Sequence, residues 1–267
     1  MSAALTVPVV AQESLTSSEL LATDAQQRLD NAQFNLVLAG TEQVPVTTSP
    51  ASVPLTRGVA ILLVPAKQGV FGEQGLSTIV SELNSWGWFT LVMPAPILGT
   101  ATPENTATPE DLNARSVLSS FNEEVLTRYL LALSQRIEAA YATTQTTPGY
   151  RLLITQGINA AGTIRLYQQG NLVQPDGLVV AGPFWPDRQL NEQLPMQLAA
   201  TTFPVLDLTS EWDNRWSVMS AERRRVSAVT SLKIHYRQRD IVGTEYNVIQ
   251  YQAMGKEMYG WMTSLGW

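Results

Sequence analysis

Two apolar runs mark the first half of the chain. Val59 to Val64 is apolar throughout and stops at Pro65, and Trp88 to Met93 is apolar but for Thr90 and stops at Pro94. Runs of this length without polar alternation are the pattern of strands buried on both faces of a parallel sheet. Between them, Ser77 to Trp86 places Ile79, Val80, Leu83 and Trp86 at helical spacing. Ser77 stands where a helix cap is expected, and Gly87 where a helix ends. The stretch therefore predicts strand, loop, helix, strand, which closes into one right-handed parallel unit.

The pattern continues on both sides. Residues 13–33 predict a polar lead-in helix with a stripe of Leu20, Leu21, Ala25 and Leu29. Phe34 to Leu38 predicts a short strand, with Val44 to Val46 pairing back across Ala39-Gly40, and residues 47–54 read as a turn-rich connection. Residues 97–111 hold Pro103 and Pro109 among threonines and predict an exposed loop. After Ser119-Ser120 as caps, Phe121 to Ala142 predicts a long helix with Val125, Tyr129, Leu130, Leu133, Ile137 and Tyr141 on its buried side. Glu123 and Glu124 fall in its first turn, where the helix dipole favours them.

Tyr150 to Thr155 predicts a strand, Gln156 to Gly162 a tight turn of small residues, and Ala161 to Gln169 a helix ended by Gly170. Leu178 to Ala181 and Pro204 to Leu208 predict two more buried strands. Gln189 to Ala199 predicts a short helix interrupted at Pro195. Ser220 to Ala228 predicts a basic helix carrying Arg223, Arg224 and Arg225, whose charges read as a solvated face. Leu232 to Arg237 alternates and predicts a strand, and Glu257 to Leu265 an amphipathic closing helix. About seven strands alternating with helices predict an α/β fold with a mostly parallel central sheet and helices on both faces.

Composition narrows the chemistry. The chain has 267 residues, 45% of them hydrophobic, and a formal net charge of -6, which argues against a nucleic-acid partner, since that would need a basic face. It has no Cys and a single His, His235. Disulfides, thiolate ligands, a Cys nucleophile and a multi-His metal site are thereby excluded, and any Ser-His-Asp mechanism must use that one imidazole. No run approaches the ~18 apolar residues of a membrane span. Ala3 to Ala11 is small and apolar and ends in Val-Val-Ala. It reads either as the remnant of a secretory signal or as an ordinary terminal tail. The expected organisation is a signal remnant at residues 1–11, an N-terminal helix and short strands at 12–56, and the main domain at 57–267. Export implies a periplasmic or secreted protein, and its absence a cytoplasmic one.

In this order the elements resemble an α/β-hydrolase fold. Gly58 to Val64 resembles the strand before the oxyanion loop, and Tyr150 to Gly162 the strand, elbow and helix that normally carry the nucleophile. Pro204 to Asp213 resembles the strand and loop that normally carry the triad acid. More narrowly, Gly58 to Leu62, Gly87 to Leu91, Gly157 and Gly260-Trp261 resemble, in order and spacing, the motifs of the DUF3530 family of bacterial proteins. That family often has His-Gly after the first strand, where this chain has Val64-Pro65.

The resemblance points to an active site that has lost its reactive atoms. An elbow needs Gly-x-nucleophile-x-Gly. One register puts Gly157 at the nucleophile position and the other Asn159, and neither is a nucleophile. Equally, Gln156 to Gly162 reads as a packing turn. Glu211 and Asp213 occupy the acid loop. His235, read as mid-strand beside Lys233 and Arg237 on a polar face, does not occupy the loop after the last strand where the triad His belongs. Trp185, Trp212 and Trp216 follow strands and gather at the C-terminal edge of the sheet, where α/β folds bind ligands. Trp185, Trp212 and Gln156 are candidate cleft-lining residues. Trp at these places also reads as a cover for the core.

The expectation is a pseudoenzyme, a binding or scaffold protein for a small-molecule or protein ligand whose identity the sequence does not give. The alternatives are an esterase-type hydrolase with a rearranged set, a loop Ser with His235, and an interaction module of an envelope assembly. No cofactor and no metal enter this reading.

Overall fold

Each apolar run becomes a strand of one sheet. The computed structural model describes residues 22–23, 34–66, 75–99, 123–170, 172–242 and 248–267. The expected lead-in helix, apart from residues 22–23, the predicted caps Ser119-Ser120, and most of the 97–111 loop lie outside these. Among the described residues the strands are β1 (Asn35–Ala39), β2 (Glu42–Ser49), β3 (Gly58–Val64), β4 (Trp88–Pro94), β5 (Tyr150–Gln156), β6 (Gly177–Ala181), β7 (Val205–Thr209) and β8 (Tyr236–Asp240). The helices are α1 (Val80–Ser85), α2 (Glu123–Thr143), α3 (Gly157–Gln168), α4 (Arg188–Ala199), α5 (Arg215–Thr230) and α6 (Val248–Ser264). The sheet order is β1-β2-β4-β3-β5-β6-β7-β8. β1, β2 and β4 pair antiparallel in turn, and β4, β3, β5, β6, β7 and β8 pair parallel.

β3 is buried at every position because it lies centrally, between β4 and β5, with apolar layers on both faces. Val59, Ile61 and Leu63 pack into the layer under α2 and α3, and Ala60, Leu62 and Val64 into the layer under α1 and α6. Gly87 turns the chain from α1 into β4 with φ +94°, a conformation glycine adopts without steric cost. At the N-terminal edge of the strands, Trp267 stacks on Tyr150 at 4.8 Å and meets Trp88 and Trp261 edge-on. A Cβ at Gly177 would stand 2.7 Å from the Trp267 ring, so the start of β6 must be glycine for the C-terminal aromatic cluster to close.

Four expectations change. The helix before Gly87 opens as a 3-10 turn, Gly75–Ile79, so Ser77 lies inside it and Ile79 occupies the cap position. The chain does not turn through Gln156 to Gly162: β5 runs straight into α3, which begins at Gly157. α4 continues through Pro195, which is buried within it. The last strand begins at Tyr236, not Leu232. Residues 232–235 form a turn because Leu232 takes φ +52°, the Leu232 and Lys233 N–H groups donate to Val229 and Ala228, and the Lys233 ammonium bonds to the carbonyls of Thr201 and Phe203.

Candidate functional site

The junction of β5 and α3 has no loop. Gln156 is extended and Gly157 takes φ +63°, so the strand becomes a helix in one residue. That left-handed conformation costs an L side chain about 1–2 kcal/mol, and glycine almost nothing. Among the described residues, a Cβ built on Gly157 would meet only the Phe184 ring, at 3.6 Å, an ordinary van der Waals contact. Phe184 is held there by its own backbone, whose N–H points to the Gly157 carbonyl at 3.5 Å. The apex thus has an aromatic ring beside it and no other described atom in its way. The Gln156 side chain makes no capping hydrogen bond, so it leaves the first turn of α3 uncapped.

Of the two registers, Gly157 stands at the apex. Asn159 lies in the first turn of α3 and is buried, and its Oδ1 accepts a 2.7 Å hydrogen bond from the Tyr129 hydroxyl. It is a link between α3 and α2. Burial raises the Tyr129 phenol well above its ordinary range, so it donates this bond at any physiological pH.

Gln156 points to the other side of the sheet, toward α6, where its Oε1 faces the Tyr251 hydroxyl at 3.4 Å. Burial raises the Tyr251 phenol first of all. The Gln156 contact offsets part of this, and the negative charge of Asp213 adds to it. Asp213, from the loop after β7, is therefore close enough to act electrostatically on the hydroxyl that reaches the elbow. Its backbone N–H donates to the Ser210 carbonyl at 3.2 Å, and its carboxylate accepts the Asn214 N–H at 2.7 Å. Glu211 is exposed in the same loop. Tyr251 and Phe184 are the two site residues that periodicity did not reveal. Phe184 sits in the run Gly182 to Pro186 after a predicted strand, which was a usable signal; Tyr251 had none.

The aromatic candidates separate. Trp212 is 63% exposed, on the acid loop. Trp185 is fully buried, edge-on to Tyr129 at 6.2 Å, and belongs to the core layer under α2. It supports the site from below and does not wall an open cleft. Its backbone N–H donates to Asn191 Oδ1, and Asn191 in turn donates to the Trp216 carbonyl, which ties the loop after β6 to α4 and α5.

His235 is at the wrong end of the sheet for elbow chemistry. It is exposed, and its carbonyl accepts from the N–H of Val205, the first residue of β7. The register sets Val205 opposite Leu178 and Leu178 opposite Leu153. The elbow lies four residues further along β5, about 13 Å in the strand direction, and three strands across. A Ser-His set built on His235 cannot include the apex.

The basic helix is also corrected. Arg224 is not solvated: it is fully buried, and its guanidinium forks onto Asp207 of β7 at 2.7 and 3.1 Å. Its NH1 also donates to Ser220 Oγ at 2.5 Å and to the Pro183 carbonyl at 3.3 Å, while Tyr236 and Gln238 donate to the same Asp207 carboxylate. Among the described residues no group of three His, Cys, Asp or Glu side chains could hold a metal, and no helix is long and apolar enough to cross a membrane.

Solved structures share this architecture. The esterase domain from a Rhodothermus marinus protein superposes with a TM-score of 0.58 at 11% identity, covering 85% of this chain and 96% of that one. A putative dienelactone hydrolase from Klebsiella pneumoniae gives 0.57 at 14%, covering 86% and 97%, and Est1E from Butyrivibrio proteoclasticus 0.55 at 12%, covering 86% and 99%. At these identities the likeness is one of fold, the α/β-hydrolase fold. No curated protein matches the sequence. Residues 6–264 match the family described as "Protein of unknown function (DUF3530)", and the chain is a member of that family.

Proposed function

We propose that the chain is a pseudoenzyme of the α/β-hydrolase fold, a binding protein that holds a small ligand at the elbow without turning it over. The observation that carries this is Gly157 at the apex, where the fold keeps the strained turn and supplies no nucleophile. The rest of the site supports it. Without a side chain at 157, space opens beside the Phe184 ring, which offers apolar contact. The Tyr251 hydroxyl and Gln156 offer hydrogen bonds, and the first N–H groups of α3 suit an electron-rich atom. The Asp213 charge disfavours an anion on the Tyr251 side. The names of the structural neighbours, esterase and dienelactone hydrolase, make small acyl compounds the first probes. The apolar stretch Ala3 to Ala11 supports export, and we place the protein in the periplasm.

Ligand-observed NMR with p-nitrophenyl butyrate tests the reading. Saturation transfer to the ester is expected for the wild-type chain and not for Gly157→Trp, whose indole would fill the space beside Phe184. No p-nitrophenol should form with either protein. Release of p-nitrophenol by the wild type that disappears in Gly157→Trp would overturn the proposal, as would ester contact that the Trp substitution leaves unchanged.

A further inference from the structure

The outward side of α5 carries four apolar side chains among Arg215, Glu222, Arg223 and Arg225, more than an edge helix needs. Val218, Met219, Val226 and Val229 lie on it exposed, at spacings that put them along one stripe, and Val229 is 64% exposed. The stripe continues into the turn before β8, where Leu232 and Ile234 are 82% and 86% exposed. Leu232 holds a left-handed backbone conformation that a bulky side chain rarely adopts, and it does so with its side chain in water. In an isolated chain, both the conformation and the exposure are unfavourable. Together the six residues expose on the order of 700 Å², near the ~800 Å² per partner that a stable interface buries, with Arg215, Glu222 and Arg225 interspersed on the helix.

The charges on the helix choose the occupant. Glu222 stands in the middle of the stripe and bonds to Arg225 at 2.9 Å, one turn along. An acyl layer would have to bury that carboxylate, which argues against a lipid surface. A second copy of the same helix would cover it too, but with a cation to pair it. In an antiparallel pair with a two-fold axis level with the midpoint of Arg223 and Arg224, Val218 of one chain meets Val229 of the other at both ends. Glu222 then comes opposite Arg225, so both ends of each charged pair remain engaged. The same register carries Leu232 of one chain to the level of Arg215 of the other, where the guanidinium stem can cover it.

We infer that the α5 face is the interface of a homodimer, with the two α5 helices antiparallel across a two-fold axis. The inference does not depend on the elbow, which lies at a separate surface. Sedimentation equilibrium of the full chain at micromolar concentration tests it. The wild type is expected at twice the chain mass. Val218→Glu and Val229→Arg are each expected at the chain mass, with an unchanged circular dichroism spectrum. Mixing the two variants should restore the doubled mass, because Glu at 218 then faces Arg at 229. A monomeric wild type, or a dimer that survives both substitutions, overturns the inference. So does a wild-type chain that is monomeric alone but floats with vesicles of anionic phospholipid, since the stripe would then be a membrane contact.

Discussion

Two polar sites lie two strands apart in this sheet, and they are finished differently. Under β7 and α5, Asp207 and Arg224 are completely buried, and the surroundings leave neither unanswered: the carboxylate accepts from Arg224, Tyr236 and Gln238, and the guanidinium donates also to Ser220, Ser217 and Pro183. At the end of β5, Gly157 is open, Phe184 lies beside it, and the Tyr251 hydroxyl approaches Gln156 at a loose 3.4 Å. The first site has all its charge consumed in holding α5 and the loop after β6 to the sheet. The second carries a glycine at its apex, an aromatic ring and two hydrogen-bonding side chains. In the first site charge serves the structure, and in the second, among the described residues, the turn is kept with a glycine at its apex.

The sharpest way to break that contrast is at Arg224. Arg224→Met leaves the Asp207 carboxylate buried with two neutral donors, and a loss of about 3–5 kcal/mol in urea unfolding is expected. Asp207→Leu combined with Arg224→Met should recover most of the loss, because removing both charges is far milder than stranding one. A double variant no more stable than the single would mean that packing, not charge, holds α5.

The buried tyrosines give the next effect, and its sign follows from their titration. Tyr141 and Tyr167 share a 2.8 Å hydrogen bond; burial pushes the Tyr141 phenol up to about 12 and Tyr167 higher still. Burial likewise raises Tyr236 over Asp207. The folded state holds these protons more tightly than the unfolded chain, so their stabilisation is complete below about pH 10 and lost as the pH rises through the folded values. Urea midpoints should fall between about pH 10 and pH 12, and less steeply in a variant with Tyr141→Phe and Tyr167→Phe.

The elbow should respond least. Gly157→Ser places a Cβ in the left-handed region at an expected 1–2 kcal/mol, with no clash against Phe184. It should gain no esterase activity, because the single His stands at the opposite edge of the sheet. Tyr251→Phe removes the long contact to Gln156, worth about 0.5 kcal/mol at the weak end for a hydrogen bond, and should weaken p-nitrophenyl butyrate binding.

The same division explains what could be read in the sequence. β3 and β4 were legible because strands covered on both faces are almost continuously apolar: Val59 to Val64 is so throughout, and Trp88 to Met93 is interrupted only by Thr90, whose hydroxyl bonds to Asn84. The stripe of α2 was legible for the matching reason at helical period, and all six of its predicted side chains are buried. The region from α5 to β8 misled. Leu232, Ile234 and Tyr236 alternate like a strand, yet the first two are outside it, because contacts remote in sequence, from Lys233 to Thr201 and Phe203, fix the turn. Three consecutive arginines give no sign of which one turns inward; the partner that decides it, Asp207, is seventeen residues away on another element. At the site, the motif offered two registers, Gly157 and Asn159, and the positive φ at Gly157 is what distinguishes them. The hydroxyl that approaches the elbow from α6 was not legible, since the closing helix was expected from Glu257 and it begins at Val248, which is what brings Tyr251 onto it.

The account rests on the elbow being without a nucleophile, and labelling tests that directly. The wild-type protein would be incubated with a fluorophosphonate probe and, in parallel, with a panel of short acyl esters, and its intact mass measured. An unchanged mass and no acid release are predicted. A single probe adduct, with ester turnover that it abolishes, would reveal a nucleophile outside Gly157 and contradict the account.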